Sequence, residues 1–331
     1  SAAIKPKALT ITAGSAADKV YDGTTSATVT VGTLSGFVGS ETVTATAVGT
    51  FANKNVAIGE AVTLTYTLAN GTNSGLASNY SLADTSTTAT ISGKPVTVTA
   101  SNQSTTYGQA LNLGSTAFTQ SGFLNSDGVT SVTLLQGGQA TVPATRAAGT
   151  YTGSTDGIAP SAAAGTGLDN YSITYVNGSL TVNKATLTVT ADSHARVYGD
   201  ANPTLTYTIT GYKNSENASS AGITGAPTIS TTATQGSNVG SYAITSAANN
   251  LVAANYSFVY ANGLLTVNPR PITVTGDAQA KVYGDANPTL TYAVAADGTG
   301  TSRGLYGSDA LTGSLTTTAT RATGVGSVAI T

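Results

Sequence analysis

The chain contains 331 residues, a length that is typical of two to four domains. Only 8% of the residues are charged, and the 13 Lys and Arg against 15 Asp and Glu exclude the electropositive surface that nucleic-acid binding requires. The absence of Cys excludes thiol enzymes, disulfide scaffolds and Cys-based zinc sites, and a single His excludes a multi-His metal site within one chain. The hydrophobic fraction of 40% is still large enough to form a folded core.

Internal repeats organise the chain. A Val-Tyr-Gly/Asp signal and an Asn-Tyr-Ser signal each recur at intervals of 85 to 91 residues. The tyrosines of the first signal are Tyr21, Tyr107, Tyr198 and Tyr283, and those of the second are Tyr80, Tyr171 and Tyr256. We therefore divide the sequence into repeat 1 (residues 5–93), repeat 2 (94–183), repeat 3 (184–268) and repeat 4 (269–331).

The ends and joints of the repeats predict an array. The chain begins at Ser1 without an initiator Met, and repeat 4 stops before any Asn-Tyr-Ser signal, so we expect it to be part of a longer protein. Joints as short as residues 182–185 and 267–271 restrict hinge motion, which predicts an elongated rod. No stretch approaches 18 consecutive apolar residues, so we expect no membrane insertion by this segment.

Threonine alternates with apolar residues throughout the chain, which predicts β-strands. Each repeat opens with such a segment, at residues 8–12, 96–99, 187–190 and 272–275. Asn177-Gly178 and Asn262-Gly263 predict two-residue hairpin turns, and Ser86-Thr87 stands at that place in repeat 1. The predicted fold is mainly β, an array of four units in which periodicity leaves β-grasp-like and immunoglobulin-like topologies open.

A Gly-aromatic-x-x-Ser-acid motif recurs once in each repeat. It occupies residues 36–41, 122–127 and 211–216, with a looser form at 304–309. A Ser followed by an acid suits a helix N-terminus, because the hydroxyl caps a free N–H and the carboxylate faces the positive end of the helix dipole. The motif predicts at most one short helical turn in each repeat and no long helix.

These signals resemble known repeat families. The Val-Tyr-Asp-Gly signal and Thr-rich first strand of repeat 1 resemble a YDG-type domain. The Val-Tyr-Gly-Asp-Ala-Asn-Pro segments of repeats 3 and 4, with the closing Asn-Tyr-x-x-x-Tyr-x-Asn-Gly-x-Leu-Thr-Val of repeat 3, resemble MBG-type domains. Repeat 2 is a divergent MBG-like unit, because Tyr107-Gly108-Gln109-Ala110 lacks the Asp and the following Asn-Pro. The resemblance implies a tandem array from a large, two-partner-secreted, filamentous-haemagglutinin-like surface adhesin of Gram-negative bacteria.

Candidate catalytic and metal-binding residues are few. His194 is expected to lie in an exposed loop, and no Ser-His-Asp arrangement or carboxylate pair can be argued around it. Calcium needs six to eight oxygen ligands, whereas Asp200 with Asn202 offers only two candidates. Turn formation, with each Asx side chain bonded to its own backbone, explains these residues and their counterparts Asp285 and Asn287 better. We therefore expect no enzyme activity, no metal and no cofactor.

Tyrosine recurs at fixed places in the repeats, which favours a core role with the hydroxyl at the rim over sugar stacking. A third recurring set, found once in each of the first three repeats, consists of Tyr66, Tyr151 and Tyr242. The less regular aromatics Tyr306 and Phe118 are the better candidates for ligand binding.

Two functions remain open at this point. The first is a non-enzymatic, secreted stalk at the bacterial cell surface that acts in cell adhesion, aggregation or biofilm formation. The alternative is an array that binds exopolysaccharide, mucin-type glycan or a host surface through weak, repeated sites. Self-association is a further expected interaction.

Overall fold

The computed structural model describes residues 3–12, 14–296 and 303–331. The fold is mainly β, which confirms the predicted class. The chain divides into two compact units, residues 1–183 and residues 184–331. The first unit holds repeats 1 and 2, and the second holds repeats 3 and 4.

Repeat 1 is built from strands of two to fourteen residues. In chain order they are β1 (Lys7–Thr12), β2 (Ser15–Ala16), β3 (Lys19–Val20), β4 (Ser26–Ala27), β5 (Val29–Thr30), β6 (Thr33–Ser35), β7 (Val43–Phe51), β8 (Ala57–Asn70), β9 (Tyr80–Leu82) and β10 (Thr85–Ser92). A 3₁₀ helix, Ala77–Asn79, leads into β9.

Repeat 2 has a similar set of strands. They are β11 (Lys94–Ala100), β12 (Gln103–Thr106), β13 (Leu111–Asn112), β14 (Phe118–Ser121), β15 (Gly128–Gln136), β16 (Thr141–Val142), β17 (Gly149–Tyr151), β18 (Ile158–Thr166), β19 (Tyr171–Val176) and β20 (Leu180–Asn183). A four-residue helix, Gly153–Asp156, precedes β18, and a 3₁₀ helix, Leu168–Asn170, leads into β19.

Repeats 3 and 4 form the second unit. The strands of repeat 3 are β21 (Ala185–Ala191), β22 (His194–Val197), β23 (Tyr207–Thr210), β24 (Thr228–Thr231), β25 (Gly240–Ala247), β26 (Tyr256–Ala261) and β27 (Gly263–Asn268). The described part of repeat 4 has β28 (Val274–Gly276) paired with β29 (Tyr292–Val294).

One topology is shared by the first three repeats. The opening strand is the centre of a three-stranded sheet, with an antiparallel neighbour on one side and a parallel neighbour on the other; in repeat 3 the order is β23-β21-β26. The closing strand is central to a second sheet, which in repeat 3 has the order β22-β27-β25-β24. The first and last strands of a repeat therefore lie in different sheets.

The predicted Asn-Gly hairpins are wrong. Strands β26 and β27 are consecutive, yet β26 pairs with β21 while β27 pairs with β22 and β25. Residues 262–263 therefore form a corner that transfers the chain between sheets. Glycine is needed there for close approach, because a Cβ on Gly263 would lie 2.3 Å from the carbonyl oxygen of Ala191. In repeat 1, the expected turn at Ser86-Thr87 lies inside the continuous strand β10.

The predicted helical turn at the Gly-aromatic-x-x-Ser-acid motif is also absent. The motif forms a β-turn in which the acid N–H donates to a carbonyl three residues earlier, for example Asp127 to Leu124 at 3.0 Å. The residue two before the acid has a left-handed backbone, with φ of 55° at Gly39, 54° at Asn125 and 51° at Asn214. A left-handed residue at that place prevents a helix from starting.

The cores are compact clusters of strand residues. In repeat 3, Ile244 and Leu265 are fully buried against Ala191 and Ala233. In the first unit, one cluster crosses from repeat 1 into repeat 2 and contains Tyr21, Phe51, Val62, Leu64, Ala89, Ile91, Val96 and Tyr171. Only Gly93 separates β10 from β11, so the two repeats of this unit share both a short joint and a core.

Candidate functional site

The Asn-Tyr-Ser signal and the Gly-aromatic-x-x-Ser-acid motif meet in space in each of the first three repeats. The tyrosine of Asn-Tyr-Ser donates its hydroxyl proton to the acid of the Gly-aromatic-x-x-Ser-acid motif, at 2.6 Å for Tyr80 to Glu41 and 2.8 Å for Tyr171 to Asp127. Tyr256 makes the same bond to Glu216. Bonds from a hydroxyl to a carboxylate are among the stronger hydrogen bonds in proteins. The acid therefore accepts a hydrogen bond from a tyrosine that is distant in sequence, and it does not cap a helix.

Each of these tyrosines also accepts a backbone hydrogen bond and packs against the aromatic residue of the motif. The N–H of Leu124 donates to the Tyr171 hydroxyl at 3.0 Å, and the rings of Phe123 and Tyr171 lie 4.7 Å apart. We name the three residues together a tyrosine–acid cluster. The clusters are Phe37, Glu41 and Tyr80 in repeat 1; Phe123, Asp127 and Tyr171 in repeat 2; and Tyr212, Glu216 and Tyr256 in repeat 3.

The cluster of repeat 2 receives a residue from repeat 1. Tyr21, from the Val-Tyr-Asp-Gly signal, points its hydroxyl at the Asp127 carboxylate at 3.4 Å. Its ring meets the Tyr171 ring edge to face, with centroids 5.4 Å apart. Tyr21 is only 2% exposed. Beside it, the Asn170 side chain accepts from the N–H of Val56 at 2.9 Å, which adds a second polar contact between the repeats.

The second unit repeats this contact between repeats 3 and 4. The Tyr198 hydroxyl donates to Asp309 at 3.4 Å, and its ring lies edge to face on Tyr306 with centroids 5.5 Å apart. Arg303 pairs with Asp200 at 2.5 Å, and Arg270 lies 3.6 Å from the same carboxylate. In both units, the tyrosine of the Val-Tyr-Gly/Asp signal therefore contacts the motif acid of the repeat that follows.

The surroundings keep these tyrosines protonated. Burial is the main cause that raises the pKa of Tyr21 and of Tyr171, and the Asp127 carboxylate raises both further. The hydrogen bond to Glu41 is the main cause that raises the pKa of Tyr80. For Tyr198, burial comes first and Asp309 second. A neutral tyrosine is the state that can donate to a carboxylate, so the clusters are arranged for structural hydrogen bonds.

The recurring tyrosines lie largely where a core role predicts. Tyr21, Tyr80, Tyr107, Tyr171 and Tyr256 are buried, which confirms the prediction for these positions. Tyr66, Tyr151 and Tyr242 are half-buried, and the last two bond to a carbonyl four residues earlier, at 2.7 Å and 2.8 Å. Tyr198 is half-buried. The prediction is wrong for Tyr283, which is 64% exposed.

The ligand-binding candidates lie apart in the chain. Tyr306 is half-buried in the contact with Tyr198. Phe118 is half-buried in β14, where it pairs with Ala100 of β11.

His194 was expected in an exposed loop, and that placement is wrong. It begins strand β22, is half-buried, and has its Nε2 3.3 Å from the Thr206 hydroxyl. Nearby, hydrogen bonds from Thr206 and Thr208 lower the pKa of Asp192. These contacts attach the loop of residues 192–193 to β23.

The Asx residues also act over a longer range than predicted. Asn202 accepts from the Arg196 guanidinium at 2.8 Å and donates to the Ala233 carbonyl at 2.6 Å, and Asp200 forms ion pairs with arginines. Asn287 likewise donates to the Ala319 carbonyl at 2.7 Å. The side chains that were expected to fold back on their own turns instead connect distant loops.

The predicted site residues did not include the basic residue that stands two positions before the first tyrosine in repeats 1, 3 and 4. Arg196 is 7% exposed and donates to Asn202 and to the carbonyls of Val197, Thr234 and Gln235. The same position is Lys281 in repeat 4, where the ammonium donates to the carbonyls of residues 285 and 320 at 3.2 Å and 2.7 Å, and Lys19 in repeat 1. The recurrence of a cation before Val-Tyr was the available signal.

Within residues 3–12, 14–296 and 303–331, no three His, Cys, Asp or Glu side chains come together as a metal site. No helix in that part of the chain has the length and hydrophobicity to cross a membrane.

Comparison with known proteins gives a family assignment. The model of the MBG domain (YGX type) matches residues 96–181, 187–266 and 272–331, and the model of the YDG domain matches residues 5–90. No curated protein matches the chain. Because the MBG matches cover more than half of the sequence, the chain belongs to the MBG domain (YGX type) family, in tandem with one YDG domain.

Proposed function

We propose that the chain is a non-enzymatic, extracellular stalk from a bacterial surface adhesin, and that it acts in adhesion, aggregation or biofilm formation. The supporting observation is that tyrosines of one repeat contact acids of the next repeat within each unit. Asp127 binds Tyr171 and contacts Tyr21 of the preceding repeat, and Asp309 contacts Tyr198. These two acids and their tyrosines join repeat 1 to repeat 2 and repeat 3 to repeat 4.

The composition supports this role. Dense Thr, Ser and Asn provide solubility with a charged fraction of only 8%, which makes surface properties less sensitive to salt. A chain without Cys can cross a periplasm unfolded without being trapped by disulfides. The short joints at residues 182–185 and 267–271 restrict hinge motion, so the proposed stalk is expected to be a rod on the order of 120–140 Å long.

Small-angle scattering of the complete chain tests the stalk. We expect a maximum dimension on the order of 120–140 Å for the rod. One compact body of 331 residues would have a radius of gyration of about 20 Å, and the rod should have a radius of gyration clearly above that value. A compact envelope would contradict the proposal. Display of the chain on a non-adherent bacterium then tests the biological role, because a stalk should increase the reach of a fused adhesive tip without causing adhesion by itself.

A glycan-binding array is the second candidate, and one observation favours it. A mostly polar cavity of about 520 Å³ lies between repeats 1 and 2, lined by Tyr21, Lys54, Asn55, Val56, Asp127, Gly167, Asp169 and Asn170. Exposed amide, ammonium and carboxylate groups are suited to the hydroxyl groups of a saccharide. Repetition of a weak site along a surface would provide avidity.

Pull-down of the complete chain on exopolysaccharide, on mucin and on immobilised copies of itself separates the two candidates. Saturable binding that a soluble sugar competes away, and that the exposed substitutions Lys54→Ala and Asp169→Ala abolish, would support the glycan array. Lys5→Ala with Asp84→Ala is a matched control, because it removes the same charges elsewhere in repeat 1. Absence of binding to every surface supports the stalk.

A further inference from the structure

Tyrosine is the most easily oxidised side chain of this sequence. Cys and Met, on which protein oxidation usually begins, are absent, and so is Trp, whereas there are 16 tyrosines. A one-electron oxidant that meets the chain therefore removes electrons from phenol rings. Where two such rings are in contact and shielded from solvent, the two tyrosyl radicals can couple with each other.

Tyr21 of repeat 1 and Tyr171 of repeat 2 form such a pair. Their ring centroids lie 5.4 Å apart, and the edge of one ring meets the face of the other at an angle of 80°. Both hydroxyls point at one atom, Oδ2 of Asp127, at 3.4 Å from Tyr21 and 2.8 Å from Tyr171. The hydroxyl-bearing ends of the two rings are therefore brought together, and the carbons next to the hydroxyls are those at which tyrosyl radicals couple.

Asp127 supplies the proton acceptor that oxidation of a neutral tyrosine needs. A phenol that loses an electron also gives up its hydroxyl proton, and the Asp127 carboxylate already accepts the hydrogen bond of Tyr171. The proton can therefore move along this bond as the electron leaves. Two other tyrosines of repeat 2 bond to the main chain instead. Tyr151 donates to the Ala147 carbonyl at 2.7 Å, and Tyr175 accepts from the N–H of Ala163 at 2.9 Å.

The polar cavity between repeats 1 and 2 gives a small oxidant access to the pair. Tyr21 is 2% exposed and Tyr171 is 9% exposed, so a large oxidant is kept away from both rings. The cavity of about 520 Å³ has Tyr21 and Asp127 in its wall and is far larger than a carbonate ion. Lys54, in the same wall, carries a charge opposite to that of carbonate. Burial also shields the radicals from other chains, which favours coupling within one chain.

We propose that Tyr21 and Tyr171 form an oxidative cross-linking site, at which a small one-electron oxidant of the carbonate-radical class joins repeat 1 to repeat 2 through a dityrosine. Each phenol gives up one electron and its hydroxyl proton, so two carbonate radicals become two bicarbonate ions, and Asp127 is the first acceptor of the Tyr171 proton. A carbon–carbon bond then forms between the ring carbons next to the two hydroxyls. The hydrogen on each of these carbons moves to the adjacent oxygen, which restores both phenols.

The product gives this chain, which has no Cys, a covalent link between repeats. A cross-link between distant positions restricts the unfolded chain, as a disulfide does. The inference is independent of the proposed stalk function, because it rests on the chemistry of one pair of side chains and not on the overall shape.

The test uses the complete chain at low concentration and carbonate radicals made by photolysis of carbonatotetraamminecobalt(III). Trypsin should then release residues 20–54 joined to residues 147–184, with a mass two hydrogens below the sum of the two peptides. Fragmentation should place the link at Tyr21 and Tyr171, although Tyr175 in the same peptide is 37% exposed. In urea the yield of this product should fall about tenfold and lose its preference for Tyr171, because the ends of a long flexible loop rarely meet.

Matched variants assign the roles. Tyr21→Phe should remove the linked product, whereas Tyr175→Phe should leave its yield unchanged. Asp127→Asn keeps the size of the side chain but removes the base, so it should slow formation of the link severalfold, and an unchanged rate would overturn the role of Asp127. A link at Tyr151 or Tyr175 in the folded chain, equal yields with and without urea, or oxidation of other tyrosines without any linked product would each overturn the proposal. The comparison in urea uses the parent chain, so the test stays decisive if a variant perturbs folding.

Discussion

Repeats 3 and 4 carry the same eleven residues around their first tyrosine, at 197–207 and 282–292. The two repeats nevertheless differ in the burial of that tyrosine and of the strands around it. In repeat 3, Val189 and Ile244 are fully buried and Tyr198 contacts the next repeat. In repeat 4, Val274, which corresponds to Val189, is 42% exposed, and Tyr283, which corresponds to Tyr198, is 64% exposed. The same local sequence therefore does not by itself fix burial. Burial in repeat 3 also depends on its closing strand β27 and on contact with repeat 4.

The largest expected effect comes from two isoleucines at corresponding positions, Ile244 of repeat 3 and Ile330 of repeat 4. The correspondence follows from the preceding residue, whose carbonyl accepts a threonine hydroxyl in both repeats, from Thr231 to Ala243 and from Thr317 to Ala329. Ile244→Ala should lower the unfolding free energy of repeat 3 by about 2–5 kcal/mol, because it opens a cavity in a closed core. Ile330→Ala should lower the unfolding free energy by less than about 1 kcal/mol, because that side chain is only half-buried and lines an open groove between residues 276–283 and residues 323–330. Hydrogen exchange in mild denaturant measures each repeat separately. Equal losses would show that the groove is closed in solution.

The next effect comes from the basic residue before Val-Tyr. Arg196→Met should cost about 2–4 kcal/mol, because the buried guanidinium donates hydrogen bonds to Asn202 and to the carbonyls of Val197, Thr234 and Gln235, none of which Met can replace. Lys281→Met should cost about 1 kcal/mol, since Lys281 is only half-buried and its ammonium donates to two carbonyls. Denaturant unfolding checks both variants. Arg196→Lys is the control, and it should recover part of the loss because repeat 4 uses Lys at that position.

The tyrosines of the Val-Tyr-Gly signal, Tyr198 in repeat 3 and Tyr283 in repeat 4, should differ less in their effect on thermal stability. Tyr198→Phe removes the hydroxyl that reaches Asp309 and should lower the thermal midpoint of the second unit by about 1–3 °C. Tyr283→Phe should leave the midpoint unchanged, because that side chain is 64% exposed. Scanning calorimetry measures the two midpoints. A larger loss for Tyr283→Phe would reverse the comparison.

Alkaline pH should give the smallest effect. Burial and Asp309 raise the pKa of Tyr198 above the value of about 10 in the unfolded chain. The folded state then retains a proton that the unfolded state loses, so the contribution is complete below about pH 10 and is lost as the pH rises through the folded pKa. Unfolding midpoints between pH 9 and 12 should fall less steeply for Tyr198→Phe than for the parent chain. Parallel curves would contradict this linkage.

The period of the repeats and the burial of Tyr80, Tyr171 and Tyr256 could be predicted, because recurrence and alternation are written in the sequence. The strand pairing could not. Asn262-Gly263 has the same local signal whether the chain turns back or crosses to another sheet, and only the distant carbonyl of Ala191 distinguishes the two.

The tyrosine–acid clusters escaped prediction for a similar reason. Ser126-Asp127 satisfies the local rule for a helix N-terminus, but the left-handed backbone of Asn125 and the distant hydroxyl of Tyr171 determine its structure. Both sequence signals were identified, and their contact was not, because 44 residues separate the two side chains.

The contact of Tyr21 with the tyrosine–acid cluster of repeat 2 should hold repeats 1 and 2 in one orientation. The absence of Cys allows spin labels at Val48→Cys in repeat 1 and Thr119→Cys in repeat 2, both exposed strand positions. Pulsed electron paramagnetic resonance should give a single narrow distance distribution, which broadens when Tyr21→Phe and Asp127→Ala are introduced together. A distribution that is equally broad with and without these substitutions would contradict the account.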